Sequence, residues 1–149
     1  ALRQPDRGPL VIDCGHLGLR PQRDAAAAEQ SYQIVDDLFD YLSEPEVAGK
    51  PVGYDLAEGK VTLPLIAALR QATEADRRKL RALAGRKKWT TGQWSQLRDL
   101  IEKTGGFEYS RVRAQALADE ARGVLAREKP SPARKALDAA IDYAVKRDH

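Results

Sequence analysis

The chain has no methionine, one cysteine, two histidines, two phenylalanines and two tryptophans among its 149 residues. A lone Cys14 excludes an intrachain disulfide. With His16 close by it makes two candidate zinc ligands, short of the three or four that zinc requires. No apolar run approaches the roughly 18 residues that a membrane-crossing helix needs, so no membrane span is expected. The scarcity of cysteine permits a reducing setting, and a cytoplasmic location is expected. No signal or transit pattern stands in these residues. Methionine is missing even at position 1, where Ala1 stands, so the chain is expected to be part of a longer protein.

What is present is charge and small apolar side chains. Charged residues at 32% beside 42% hydrophobic ones fit a soluble globular domain with a real core. The formal excess of +3 is too small to argue for a nucleic-acid partner. Arg77, Arg78, Lys79 and Arg81, then Arg86 to Lys88, do stand near Trp89 and Trp94. That pattern fits a nucleic-acid footprint or a solvated helix face with Leu80 and Leu83 turned inward. The second reading is preferred, and no nucleic acid is expected as partner.

Helical periodicity and caps organise the rest. Residues 1–23 carry Pro5, Gly8, Pro9, Gly15, Gly18 and Pro21, which break up any long helix, and form a leading segment with no assignment. A helix is expected from about Asp24 to Leu42, closed by Ser43-Glu44-Pro45. A loop follows through Lys60, and a loop of that length in a compact domain is usually functional. Thr62 is the expected N-cap of the next helix, with Pro64 in its first turn and Leu65, Ile66 and Leu69 as the buried stripe. Thr73 with Asp76 and Thr90 with Gln93 read as capping pairs, the second helix running to Lys103 and stopped by Gly105-Gly106. A longer helix is expected over 107–129, with Ala114, Leu117, Ala121, Val124 and Leu125 on one side. Ser131-Pro132 opens the last, striped by Leu137, Ala140, Ile141, Ala144 and Val145. No segment alternates with period two, so the class is all-α, an antiparallel helical bundle with mostly short connections.

The chemistry centres on Gln33-Ile34-Val35-Asp36-Asp37-Leu38-Phe39-Asp40. Carboxylates four apart on a helix repel by a few tenths of a kcal/mol, so Asp36 and Asp40 do not serve the helix itself. Either the three acids form an ordinary solvated face, or they bind a cation. The apolar residues around them favour the second reading and suggest that they line a cavity. Clustered carboxylate oxygens suit hard divalent ions, and Mg²⁺ is usually held by one or two carboxylates together with waters and substrate phosphates. The lysines that follow fit a diphosphate, because an ammonium is a compact point charge.

Six submotifs stand in order: Gln33; Asp36-Asp37-Leu38-Phe39-Asp40; Gly49-Lys50-Pro51; Gly53-Tyr54-Asp55-Leu56; Gly59-Lys60-Val61-Thr62-Leu63-Pro64; and Gly105-Gly106-Phe107-Glu108-Tyr109 ahead of an alanine-rich helix. Together they resemble the C-terminal part of the trans-polyprenyl diphosphate synthases, with the second aspartate-rich motif, over roughly residues 24–149. The resemblance implies an isoprenoid-synthase helical bundle. It also implies a Mg²⁺-dependent prenyltransferase that condenses isopentenyl diphosphate with an allylic diphosphate, head to tail. By position, Asp36, Asp37 and Asp40 would hold metal. Gln33, Lys50 and Lys60 would meet the allylic diphosphate, and Asp55 would support the metal's waters. The family's first aspartate-rich motif and its upstream basic residues have no counterpart in this chain, so the chain alone is expected to be inactive. Two functional classes follow: the C-terminal part of a prenyltransferase, or a non-catalytic helical subunit of a heteromeric synthase. A homodimer or heteromer is expected in either case.

Overall fold

The computed structural model describes residues 21–43 and 53–146, and these contain helices and no strand. In chain order they are α1 (Pro21–Leu42), α2 (Tyr54–Ala57), α3 (Leu63–Gln71), α4 (Glu74–Ala84), α5 (Thr91–Lys103), α6 (Gly106–Leu125) and α7 (Pro132–Lys146). The all-α expectation holds. Cys14, His16 and Lys50 lie outside the described residues.

Local capping chemistry sets several helix starts where the sequence places them. Thr73 Oγ1 accepts from the Asp76 amide at 3.2 Å. Thr90 and Gln93 form a reciprocal box, side chain to amide in each direction, at 3.3 and 3.1 Å. Ser131 Oγ accepts from the Arg134 amide at 3.1 Å. Such bonds satisfy amides that a helix start leaves without an internal partner. Thr62 stands at the N-cap of α3 in extended backbone with Pro64 in the first turn, although its hydroxyl makes no capping bond.

Other boundaries shift. α1 begins at Pro21 rather than Asp24, since proline is tolerated in a first turn. α6 ends at Leu125, short of Lys129. Gly105 does more than stop α5: at φ +74° it is the left-handed residue from which α6 starts. The segment before Lys60, expected as loop throughout, contains the single turn α2.

The most extensive packing is between α1 and α6, which run antiparallel. Ala27 joins Leu117, Ala118, Ala121 and Leu125 at one end of the seam, and the Tyr41 ring meets Phe107 at the other, centroids 5.9 Å apart. Between them, Ser31 Oγ donates to the buried Ala114 carbonyl at 2.8 Å. The seam is dominated by small side chains, which let two helix backbones approach closely. α7 closes one end of the bundle, with Ile141 buried and Leu137 and Val145 packed beside it. A second, larger cluster gathers Leu38, Tyr41, Leu56, Leu65, Leu97 and Phe107.

One expected core position is wrong. Ile66 is 41% exposed, while Pro64, Leu65, Ala67 and Ala68 are buried. Ile66 lies about 100° around the helix from Leu65, off the face that meets α6.

Candidate metal centre

α1 is amphipathic through its C-terminal half. Val35, Leu38 and Tyr41 are buried, with Ile34 and Leu42 packed against the same core. Gln33, Asp36, Asp37 and Asp40 share the opposite arc, within about 100° of one another at 100° per residue. Gln33 and Asp36 are exposed, and Asp37 and Asp40 half-buried. A cavity of about 270 Å³ lies behind α2 against Leu56, Leu65 and the end of α4, and none of the three aspartates borders it. α1 packs on the main core through the other face.

α2 brings two of the other expected residues to the same region. Asp55 and Lys60 are joined by a 2.7 Å salt bridge, and the Lys60 amide donates to the Asp55 carbonyl at 2.9 Å. Glu58 stands 3.4 Å from the same ammonium. The Asp55 hydrogen bond holds the Lys60 ammonium above the ordinary lysine range. Burial raises the Asp37 carboxyl to about 6, with further contributions from the Asp55, Asp36 and Asp40 carboxylates, while Lys60 pulls the other way. Around Asp37 the Asp36, Asp40 and Asp55 carboxylates are opposed by Lys60 alone, whose ammonium Asp55 and Glu58 already hold, and a bound cation would offset that excess of negative charge.

Among the described residues no group of three or more acidic, histidine or cysteine side chains converges on one ion. Mg²⁺ does not need such a group, since it keeps several waters and takes one or two carboxylates with phosphate oxygens. The hard-oxygen donors and the crowding at Asp37 fit that ion. The structure thus brings Asp36, Asp37, Asp40, Asp55 and Lys60 into one electrostatic neighbourhood, with Gln33 on the same face of α1.

The floor beneath this neighbourhood is aromatic. Tyr41, one turn after Asp37, stacks on Trp94 with centroids 5.6 Å apart and planes 6° from parallel. Trp89 meets Trp94 edge-on at 5.3 Å, and its Nε1 donates to the Leu83 carbonyl at 2.8 Å. Burial pushes the Tyr41 phenol up to about 12, the neighbouring Thr62 hydroxyl working the other way. Both tryptophans are thus committed to packing, which removes the aromatic component of a nucleic-acid footprint. Lys87, assigned from sequence to a solvated face, donates to the Ala57 carbonyl at 3.0 Å. No local pattern signals that contact, which joins residues 30 apart in the chain.

Known proteins resemble this chain in sequence and fold. The family pattern described as Polyprenyl synthetase matches residues 27–101. A short chain isoprenyl diphosphate synthase of Methanothermobacter thermautotrophicus is 36% identical over 119 residues, 80% of this chain and 36% of that protein. A crystal structure of a polyprenyl synthase from Caulobacter crescentus, complexed with calcium and isoprenyl diphosphate, superposes with a TM-score of 0.73 at 30% identity, over 85% of this chain and 38% of that one. A geranylgeranyl pyrophosphate synthase from Corynebacterium glutamicum, complexed with isoprenyl diphosphate and magnesium, gives 0.75 at 26% identity over 83% and 36%. This chain spans little more than a third of the length of these relatives. With a matching helical bundle and aspartate-bearing α1, the chain belongs to the polyprenyl synthetase family.

Proposed function

We propose that the complete protein is a prenyltransferase that condenses isopentenyl diphosphate with an allylic diphosphate in isoprenoid biosynthesis, and that this chain supplies the C-terminal part of its bundle. The observation that carries the reading is the gathering of the Asp36, Asp40 and Asp55 carboxylates about Asp37, with Lys60 opposing them, in a member of this family. Asp36, Asp37 and Asp40 would hold Mg²⁺ from one side. When bound, that ion supplies Lewis-acid stabilisation to the departing diphosphate. Lys60, and Lys50 in the segment outside the described residues, would pair with diphosphate oxygens as point charges. Gln33 would donate an amide N–H to the same group. Asp55 keeps the Lys60 ammonium in place and would accept from waters around the metal. Two solved relatives carry calcium or magnesium with isoprenyl diphosphate, which supports a divalent ion here. We place the protein in the cytoplasm, as a dimer.

The alternative, a non-catalytic helical subunit, would keep the bundle without turnover. Incorporation of radiolabelled isopentenyl diphosphate into an allylic primer separates the two. The prenyltransferase reading predicts Mg²⁺-dependent product from the complete protein, with Asp36→Asn lowering the rate by about 100-fold. Absence of product from the complete wild-type protein, with a range of allylic primers, would favour the non-catalytic subunit.

A further inference from the structure

α2 is one helical turn, and a turn of that length has no stability of its own. Its place must come from what touches it. Gly53, at its N-terminal end with φ +69°, sits directly on the Trp94 ring: a Cβ there would lie 2.5 Å from the ring edge. Leu56 is buried beneath it. At the other end the Ala57 carbonyl accepts from Lys87 Nζ at 3.0 Å, and the last carbonyls of a helix have no partner within the helix itself. Trp89, two residues after Lys87, would stand 3.3 Å from the same Cβ, so the segment between α4 and α5, with Trp94 of α5, holds α2 at both ends. The same Trp94 stacks on Tyr41 of α1, one turn from Asp37. The bracket therefore joins the helix that bears the acids to the turn that bears Asp55, with Lys60 three residues beyond Ala57.

We propose that Lys87 is a positioning residue for the diphosphate site: through the Ala57 carbonyl it fixes where Asp55 and Lys60 stand relative to Asp37. The inference rests on the prenyltransferase reading above. A small displacement of positioned groups can cost up to about 100-fold in rate when it reaches the reacting centre. Lys87 lies one step further out, and its effect falls on the binding of diphosphate and metal.

The test compares Lys87→Met and Lys87→Arg with wild type and with Asp36→Asn in the complete protein, following incorporation of radiolabelled isopentenyl diphosphate. Lys87→Met keeps the aliphatic stem and removes the donor. It is expected to raise both the KM for the allylic diphosphate and the half-saturating Mg²⁺ concentration by about five- to tenfold, with kcat within about twofold, consistent with losing one charge-assisted hydrogen bond. Its melting temperature should stay within about 2 °C of wild type, as for a surface substitution. Lys87→Arg, which retains charge and donors, should restore both parameters. Wild-type KM and Mg²⁺ dependence in Lys87→Met, beside an inactive Asp36→Asn, would overturn the positioning role and leave the prenyltransferase reading intact. Equal defects in Met and Arg variants would also overturn it. Full activity in Asp36→Asn would instead remove the acidic site itself, and this inference with it.

Discussion

Burial, and then the carboxylates of Asp55, Asp36 and Asp40, hold the Asp37 carboxyl at about 6, against an ordinary value of 3.8. A raised carboxylate pKa means that the folded protein prefers the protonated form. The contribution of this group to stability is present in full below pH 3.8 and is lost as the pH rises through about 6. At pH 7, without divalent cations, Asp37→Asn is therefore expected to stabilise the protein, by up to about 1 kcal/mol once solvent screening is allowed for. Urea unfolding across pH would show the gain at pH 7 and its disappearance below pH 4; no gain at pH 7 would contradict the crowding. The same substitution should weaken Mg²⁺-supported turnover at least about tenfold. Opposite effects on stability and activity are the signature of a charge kept for a ligand.

Asp76 illustrates the reverse sign. Lys103 donates to it at 2.8 Å and Thr73 at 3.2 Å, and these bonds hold its carboxyl below the ordinary range. Its stabilising contribution is present at neutral pH and is lost as the pH falls through the depressed value. Asp76→Asn should lower the melting temperature at pH 7, with the gap to wild type closing in strong acid. A gap that persists unchanged in acid would mean that shape, not charge, matters there.

Among the elements, the start of α6 is the tightest point. A Cβ on Gly106 would lie 2.4 Å from the Pro64 carbonyl oxygen and 2.8 Å from the Ile101 side chain. Gly106→Ala is expected to destabilise the bundle by about 1–3 kcal/mol, as overpacking does, despite alanine's better helix propensity. Thermal melting checks it, and an unchanged midpoint would mean that α3 and α6 separate easily. Elements set by neighbouring residues were legible in the sequence. The Thr73 and Thr90 caps are decided within three residues, and the structure shows both. α2 was not legible, because its turn depends on Trp94 and Lys87, far along the chain. Ile66 misled because an apolar side chain next to a buried stripe reads as part of it, whereas the face that meets α6 is narrower.

At the scale of the molecule, the acid-bearing face of α1 stands beside Asp55 of α2 and Lys60 and outside the main helical core, and the chain spans 36% of one relative and 38% of another. The bundle class was readable from helical periodicity and family resemblance, and the nearness of Asp36 and Asp40 to Asp37 from their spacing on one helix. The aromatic floor that holds α2 against them was not, since it is built by contacts between distant segments. Expressed by itself, the 149-residue chain is expected to give no prenyl product, whereas the complete protein is expected to give it. Turnover by the isolated chain would mean that one aspartate-rich helix suffices.

The central claim is that the acids of α1 and the cation beside α2 form one metal-dependent diphosphate site. Calorimetric titration of the complete protein with a non-hydrolysable allylic thiodiphosphate, with and without Mg²⁺, tests it most directly. Binding should require Mg²⁺ and weaken at least about tenfold in Asp36→Asn. Equal affinity without the ion, or in the variant, would contradict the account.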